Sequence, residues 1–94
     1  MSGNWKLSEM KPCGLPEQVA TGFAEAISGL VGTAYIPVLY CGEQLVHGTN
    51  YILICKQTLI TAQPEDHLVK IILNQPLPSD HETTWKIILV DTIC

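Results

Sequence analysis

The chain has 94 residues, 47% of them hydrophobic, which gives room for one domain around one core. Its formal net charge is -4, and its basic residues are the scattered lysines Lys6, Lys11, Lys56, Lys70 and Lys86, with no arginine. That balance argues against nucleic acid and against an anionic membrane surface as partners, because phosphate recognition needs clustered cations and favours arginine.

Apolar residues come in short runs broken by Pro, Gly or charge, none approaching the roughly 18 residues that cross a bilayer. The residues after Met1 are polar and contain no apolar segment of signal-peptide length, so the expected location is the cytoplasm. Cys13, Cys41, Cys55 and Cys94 form no CxxC pair. In such a compartment they are expected to be reduced thiols used as small apolar packing groups.

In chain order, residues 1–14 are polar and punctuated by Pro12 and Gly14, which reads as an extended arm. Leu15, Val19, Phe23, Ala26, Ile27, Leu30 and Val31 then recur at helical spacing, with Glu17, Gln18, Glu25 and Ser28 off the stripe. The spacing predicts one helix over 15–32, with Pro16 in its first turn and Gly32 at its end.

Beyond Gly32 the residues are β-branched and aromatic, predicting strands at 34–40, 51–55, 68–73 and 85–90. The connections, 43–50, 57–67 and 74–84, suit antiparallel hairpins, and the last contains Pro76 and Pro78. The expected fold class is α+β in a single domain: an arm (1–14), a helix (15–32) and a meander (33–94) wrapped on it.

Gln44-Leu45-Val46-His47-Gly48-Thr49-Asn50-Tyr51 falls in the first of these hairpins and resembles the cystatin signature Gln-x-Val-x-Gly, followed as in stefins by Thr-Asn-Tyr. Leu7-Ser8-Glu9-Met10-Lys11-Pro12 resembles the stefin opening segment, and Pro16-Glu17 stands where that family begins its helix. Leu77-Pro78-Ser79 is similar to the Leu-Pro of the second stefin hairpin. The likeness spans essentially the whole chain, with its motifs in the family's order.

The resemblance implies the cystatin fold, an antiparallel sheet of about five strands wrapped around one helix. The additional strand would come from 10–13. It also implies reversible, competitive inhibition of papain-like, cathepsin-type cysteine proteases by occlusion of the cleft, with no cofactor. The wedge would combine the N-terminal arm (Gly3, Asn4, Trp5), the first hairpin (Gln44, Leu45, Val46, His47, Gly48) and the second (Leu77, Pro78, Ser79).

The residue types suit that task. Leu45 and Val46 bury apolar surface at roughly 25 cal/mol per Å², whereas a charged tip would need desolvation. Gly48 permits positive φ and close backbone approach, the Gln44 amide can bond backbone groups in the turn, and Pro78 stiffens the second loop.

Three features depart from the stefin sequences. Asn4-Trp5-Lys6 stands where they carry glycine, leaving Gly3 slightly upstream. His47 replaces a small residue, and if its side chain points into the cleft, protonation beside the enzyme's imidazolium would weaken binding. The 57–67 turn is longer than its counterpart. The cysteines also lack the disulfide pattern of secreted cystatins, in keeping with the stefin group.

An enzyme is the rival from another class, on the strength of Ser8-x-x-Lys11, but one short domain offers little volume for a converging base and oxyanion site. His47, His67 and His81 lack zinc-ligand spacing. The remaining alternative is a non-inhibitory cystatin-fold interaction module or a domain-swapped oligomer opened at the Val46 hairpin, with the inhibitory form a monomer.

Overall fold

A computed structural model describes residues 5–79, 81 and 83–94. One helix, α1 (Glu17–Ile27), precedes the strands β1 (Thr33–Val46), β2 (Gly48–Leu59), β3 (Glu65–Gln75) and β4 (Lys86–Thr92). The strands form one four-stranded sheet in the order β1-β2-β3-β4, antiparallel throughout. The architecture is α+β, as the sequence predicts.

Period-two alternation builds the core. Tyr51 faces Leu73, Leu53 faces Ile71 and Cys55 faces Val69, and all these side chains are buried on one face. Val19 and Phe23 of α1 close over them, with Leu15, Ala26, Ile27, Trp85 and Ile87 packed around. The alternate residues Ile52, Ile54 and Ile72 lie half-buried on the outer face, where Lys56 pairs with Asp66 at 3.6 Å and Lys70 with Asp91 at 3.9 Å. Such exposed ion pairs add little stability, so the core carries the fold.

The helix is shorter than its apolar stripe predicts. Pro16 is the cap rather than a first-turn residue, and the helix stops at Ile27. There the Ser28 hydroxyl donates to the Glu25 carbonyl at 2.8 Å, a local bond that competes with the helical ladder. Leu30 and Val31, expected on the buried stripe, are instead 47% and 95% exposed.

The strands, by contrast, run longer than propensity suggests. Polar cross-strand pairs extend them: Thr58 donates to Asp66 at 2.7 Å and Gln57 to the Tyr35 hydroxyl at 3.0 Å. The 57–67 connection therefore shrinks to 60–64.

The additional strand expected at 10–13 does not form. The Cys13 N–H donates to the Pro37 carbonyl at 2.9 Å, but Pro12 and Pro37 both lack the N–H that a continuing ladder needs. β1 is an edge strand, where such a proline is tolerated, and it bends at irregularities between Pro37 and Leu39 and between Tyr40 and Gly42.

Trp85 lies just ahead of β4 rather than inside it. Its ring stacks on Tyr51, with centroids 5.4 Å apart and planes 16° apart. It also covers Gly22, where a Cβ would run into the indole. A Gly22→Ala change gains about 1 kcal/mol in helix propensity but overpacks by about 1–3 kcal/mol. We expect net destabilisation of about 1 kcal/mol in urea unfolding, with loss of the near-UV circular dichroism of the Tyr51–Trp85 stack.

All four cysteines are free thiols. Burial pushes the Cys55 thiol from its ordinary 9.0 up to about 12, with the neighbouring Cys13 adding to the shift. Exposed Cys41 should be alkylated first in the folded protein, and Cys55 only after unfolding, by mass spectrometry of the labelled chain. Between pH 9.0 and about 12 the unfolded chain loses the Cys55 proton while the folded chain keeps it. This contribution to stability is complete below pH 9.0 and is lost as pH climbs to about 12. Alkaline denaturation of Cys55→Val should lack that component.

Candidate functional site

The β1–β2 hairpin pairs Gln44 with Asn50, Leu45 with Thr49 and Val46 with Gly48, which places His47 at the tip. The 43–50 segment expected as a loop is thus almost wholly strand. Gly48, at φ 92°, allows this tight reversal, a conformation costly for any residue with a Cβ.

Gly48 is also buried, because the tip rests on the next connection. A Cβ there would strike the Gln75 carbonyl and approach Pro76 Cα to 3.4 Å. Two side-chain bonds fix this contact from below: Tyr51 Oη donates to Gln75 Oε1 at 2.8 Å, and Asn74 Nδ2 donates to Asn50 Oδ1 at 2.8 Å. The Tyr51–Trp85 stack holds the far side of the second connection. One buried tyrosine therefore ties down both ends of the second loop and supports the first.

The outer surface of this end is apolar and open. Leu45 is 84% exposed and Val46 47%. Leu77 is half-buried, while Pro78 and Ser79 form an exposed turn. Val46, His47, Gly48, Leu77, Pro78 and Ser79 thus belong to two neighbouring loops at the same end of the sheet.

Gln44 stands slightly back, lining a concavity of about 310 Å³ with Cys41, Glu43, Asn50 and Ile52. It does not supply the turn-holding bond expected of it; Tyr51 and Asn74 supply side-chain bonds beneath the tip.

Trp5, the first described residue of the arm, is not brought to this end. Trp5 shares a pocket of about 240 Å³ with Glu65, Asp66, His67 and Cys94. His67 pairs with Gln57, and β2 runs from there to Gly48 over roughly 30 Å at about 3.3 Å per residue. A single backbone bond at Cys13 leaves no ladder to guide the arm along β1 toward the tip. Gly3 and Asn4 lie outside the described residues.

Sequence reasoning missed Tyr51, Asn74, Gln75 and Trp85 as supports of the site. Trp85 falls at the start of the predicted 85–90 strand, but its pairing with Tyr51 needs the register between β2 and the second connection, which propensity does not carry.

Elsewhere, Ser8 and Lys11 are exposed on the arm. Among the described residues no group of His, Cys, Asp and Glu is arranged to hold a metal ion. Among them, too, no helix is long and apolar enough to cross a membrane. No family model matches the chain, and no match is found among curated proteins or solved structures.

The close contact at Gly48 sets a measurable expectation. Gly48→Ala must bear both positive φ and the Gln75 carbonyl, and should destabilise by about 2–3 kcal/mol in urea. Tyr51→Phe, which removes only the hydroxyl, should cost about 1 kcal/mol, with amide shift changes at Gln75 and Leu77.

Proposed function

We propose that this chain is a stefin-like cystatin, a non-catalytic inhibitor that reversibly occludes the active-site cleft of papain-like cysteine proteases. The observation that carries the reading is the rigid juxtaposition of an apolar first tip (Leu45, Val46, His47, Gly48) with a second turn (Leu77, Pro78, Ser79). The four-stranded α+β architecture is compatible with a cystatin fold lacking its additional N-terminal strand.

The physics of such a wedge follows from its parts. Two loops already held in place by Tyr51 lose little conformational freedom on docking, so more of the apolar burial is expressed as affinity. Val46 and Leu45 enter as uncharged surface and avoid the desolvation of a buried ion. The strand ladder runs up to Val46 and resumes at Gly48, so the tip presents a closed hairpin rather than an extended peptide laid across the nucleophile. Inhibition is then by obstruction, without cleavage.

Trp5 lies at the opposite end, so the reading rests on the two hairpins. Inhibition requires the unswapped fold, because exchange of strands through the Val46–Gly48 hairpin would straighten and remove the tip.

Titrating active papain with the monomer should give reversible competitive inhibition. Val46→Asp should weaken it by about tenfold or more, since one desolvated carboxylate costs well over about 1.4 kcal/mol. Gly48→Arg should abolish it, while deletion of residues through Trp5 should leave it nearly unchanged. Failure of the wild-type monomer against papain and against a lysosomal-type cathepsin would refute the reading.

A further inference from the structure

The two edges of the sheet are unlike. β1 carries Pro37, two irregularities and the bond to Cys13, all of which discourage another strand from pairing there. β4 carries no proline and a single irregularity, the extra residue Ile88 near its centre, and as a terminal strand it has one side turned away from β3. Aliphatic side chains cluster on it, with Ile88 54% exposed, Leu89 39% and Val90 41%. Beside it, a groove of about 550 Å³ is bounded by Ala26, Leu30, Trp85, Ile87 and Val90.

We propose that β4 is a pairing surface for a second copy of this chain, joined antiparallel, edge to edge, about a two-fold axis between Ile88 and Leu89. The bulge in β4 makes the strand complementary to itself. Leu73 pairs with Ile87 and Ile71 with Val90, so Ile87 and Val90 share the helix face despite their spacing. Asn74 pairs with Lys86 and Lys70 with Asp91, so Lys86 and Asp91 share the outer face.

In an unbulged strand, residues five apart point to opposite faces and could not pair with each other across a two-fold. The extra residue at Ile88 restores the phase. Ile87 then stands opposite Val90 of the second copy, and Lys86 opposite its Asp91, twice over.

Both layers contribute. On the outer face, Leu89 continues the apolar row Ile52–Ile72 toward the second copy. On the helix face, exposed Leu30 lines the same groove as Ile87 and Val90, close enough to the edge to be covered. A seven-residue strand spans only roughly 23 Å, which makes a small interface and a rapidly reversible dimer. The hairpin tips lie beyond the Lys86 end and point to opposite ends of the pair, so the proposal is independent of protease inhibition.

Sedimentation velocity over a concentration series tests it. The wild type should show a rapid monomer–dimer equilibrium, with slower amide exchange in β4 as concentration rises. Lys86→Asp sets like charges opposite Asp91 and should raise the dimer Kd by about tenfold or more. Lys86→Asp combined with Asp91→Lys should return the Kd toward the wild-type value, the surface pair Lys70–Asp91 being of little worth to the fold. A monomer at every concentration, a dimer indifferent to Lys86→Asp, or a dimer that persists on dilution through exchanged strands would each overturn the proposal.

Discussion

Tyr51 is where the core and the loops meet. Its ring is 3% exposed, packed with Leu73 and stacked on Trp85, while its hydroxyl reaches Gln75. A phenylalanine would fill the volume but leave Gln75 without this donor; a smaller residue would free Trp85. Because Gly48 rests on the backbone of Gln75, the first hairpin inherits its position from the same side chain. The tip at His47 is remote from the hydrophobic core yet mechanically part of it.

This coupling explains why such a small domain can carry exposed leucine and valine at one end. The charges on the outer face are solvated and weakly paired, and contribute little. Stability comes from one layer of aliphatic contacts between α1 and the odd-numbered residues of β2 and β3. Burial raises the Tyr51 hydroxyl, as it does the Cys55 thiol, with Glu43 adding to the effect on Tyr51. Both groups remain neutral hydrogen-bonding or packing groups across the physiological range.

Much of this was legible in the residues. Alternation at Tyr51, Leu53 and Cys55, and again at Val69, Ile71 and Leu73, identifies both central strands and the face that meets the helix. The helix start was legible only nearly, since the predicted first-turn Pro16 is the cap before Glu17, and its end was not: Leu30 and Val31 continue the stripe, and only the Ser28–Glu25 bond reveals the stop. Strand ends were hidden because polar residues such as Thr58 and Asp66 extend a ladder through partners that one segment cannot show.

The site followed the same division. Gly48 and Pro78 announce turns by their own chemistry, whereas the nearness of those turns depends on register. The arm failed for a local reason visible only in pairing, since Cys13 bonds to Pro37 and neither Pro37 nor the adjacent Pro12 has an N–H to continue a ladder.

The proline in β1 has a consequence for assembly. A sheet with two receptive edges can recruit copies without limit and grow into a filament. Here Pro37 and the bends after it leave one edge poorly receptive, so any addition of strands is confined to the other side and terminates once that side is matched. The same imino acid that denies the arm a strand also makes the molecule one-sided, and a one-sided sheet closes its assemblies at a finite size.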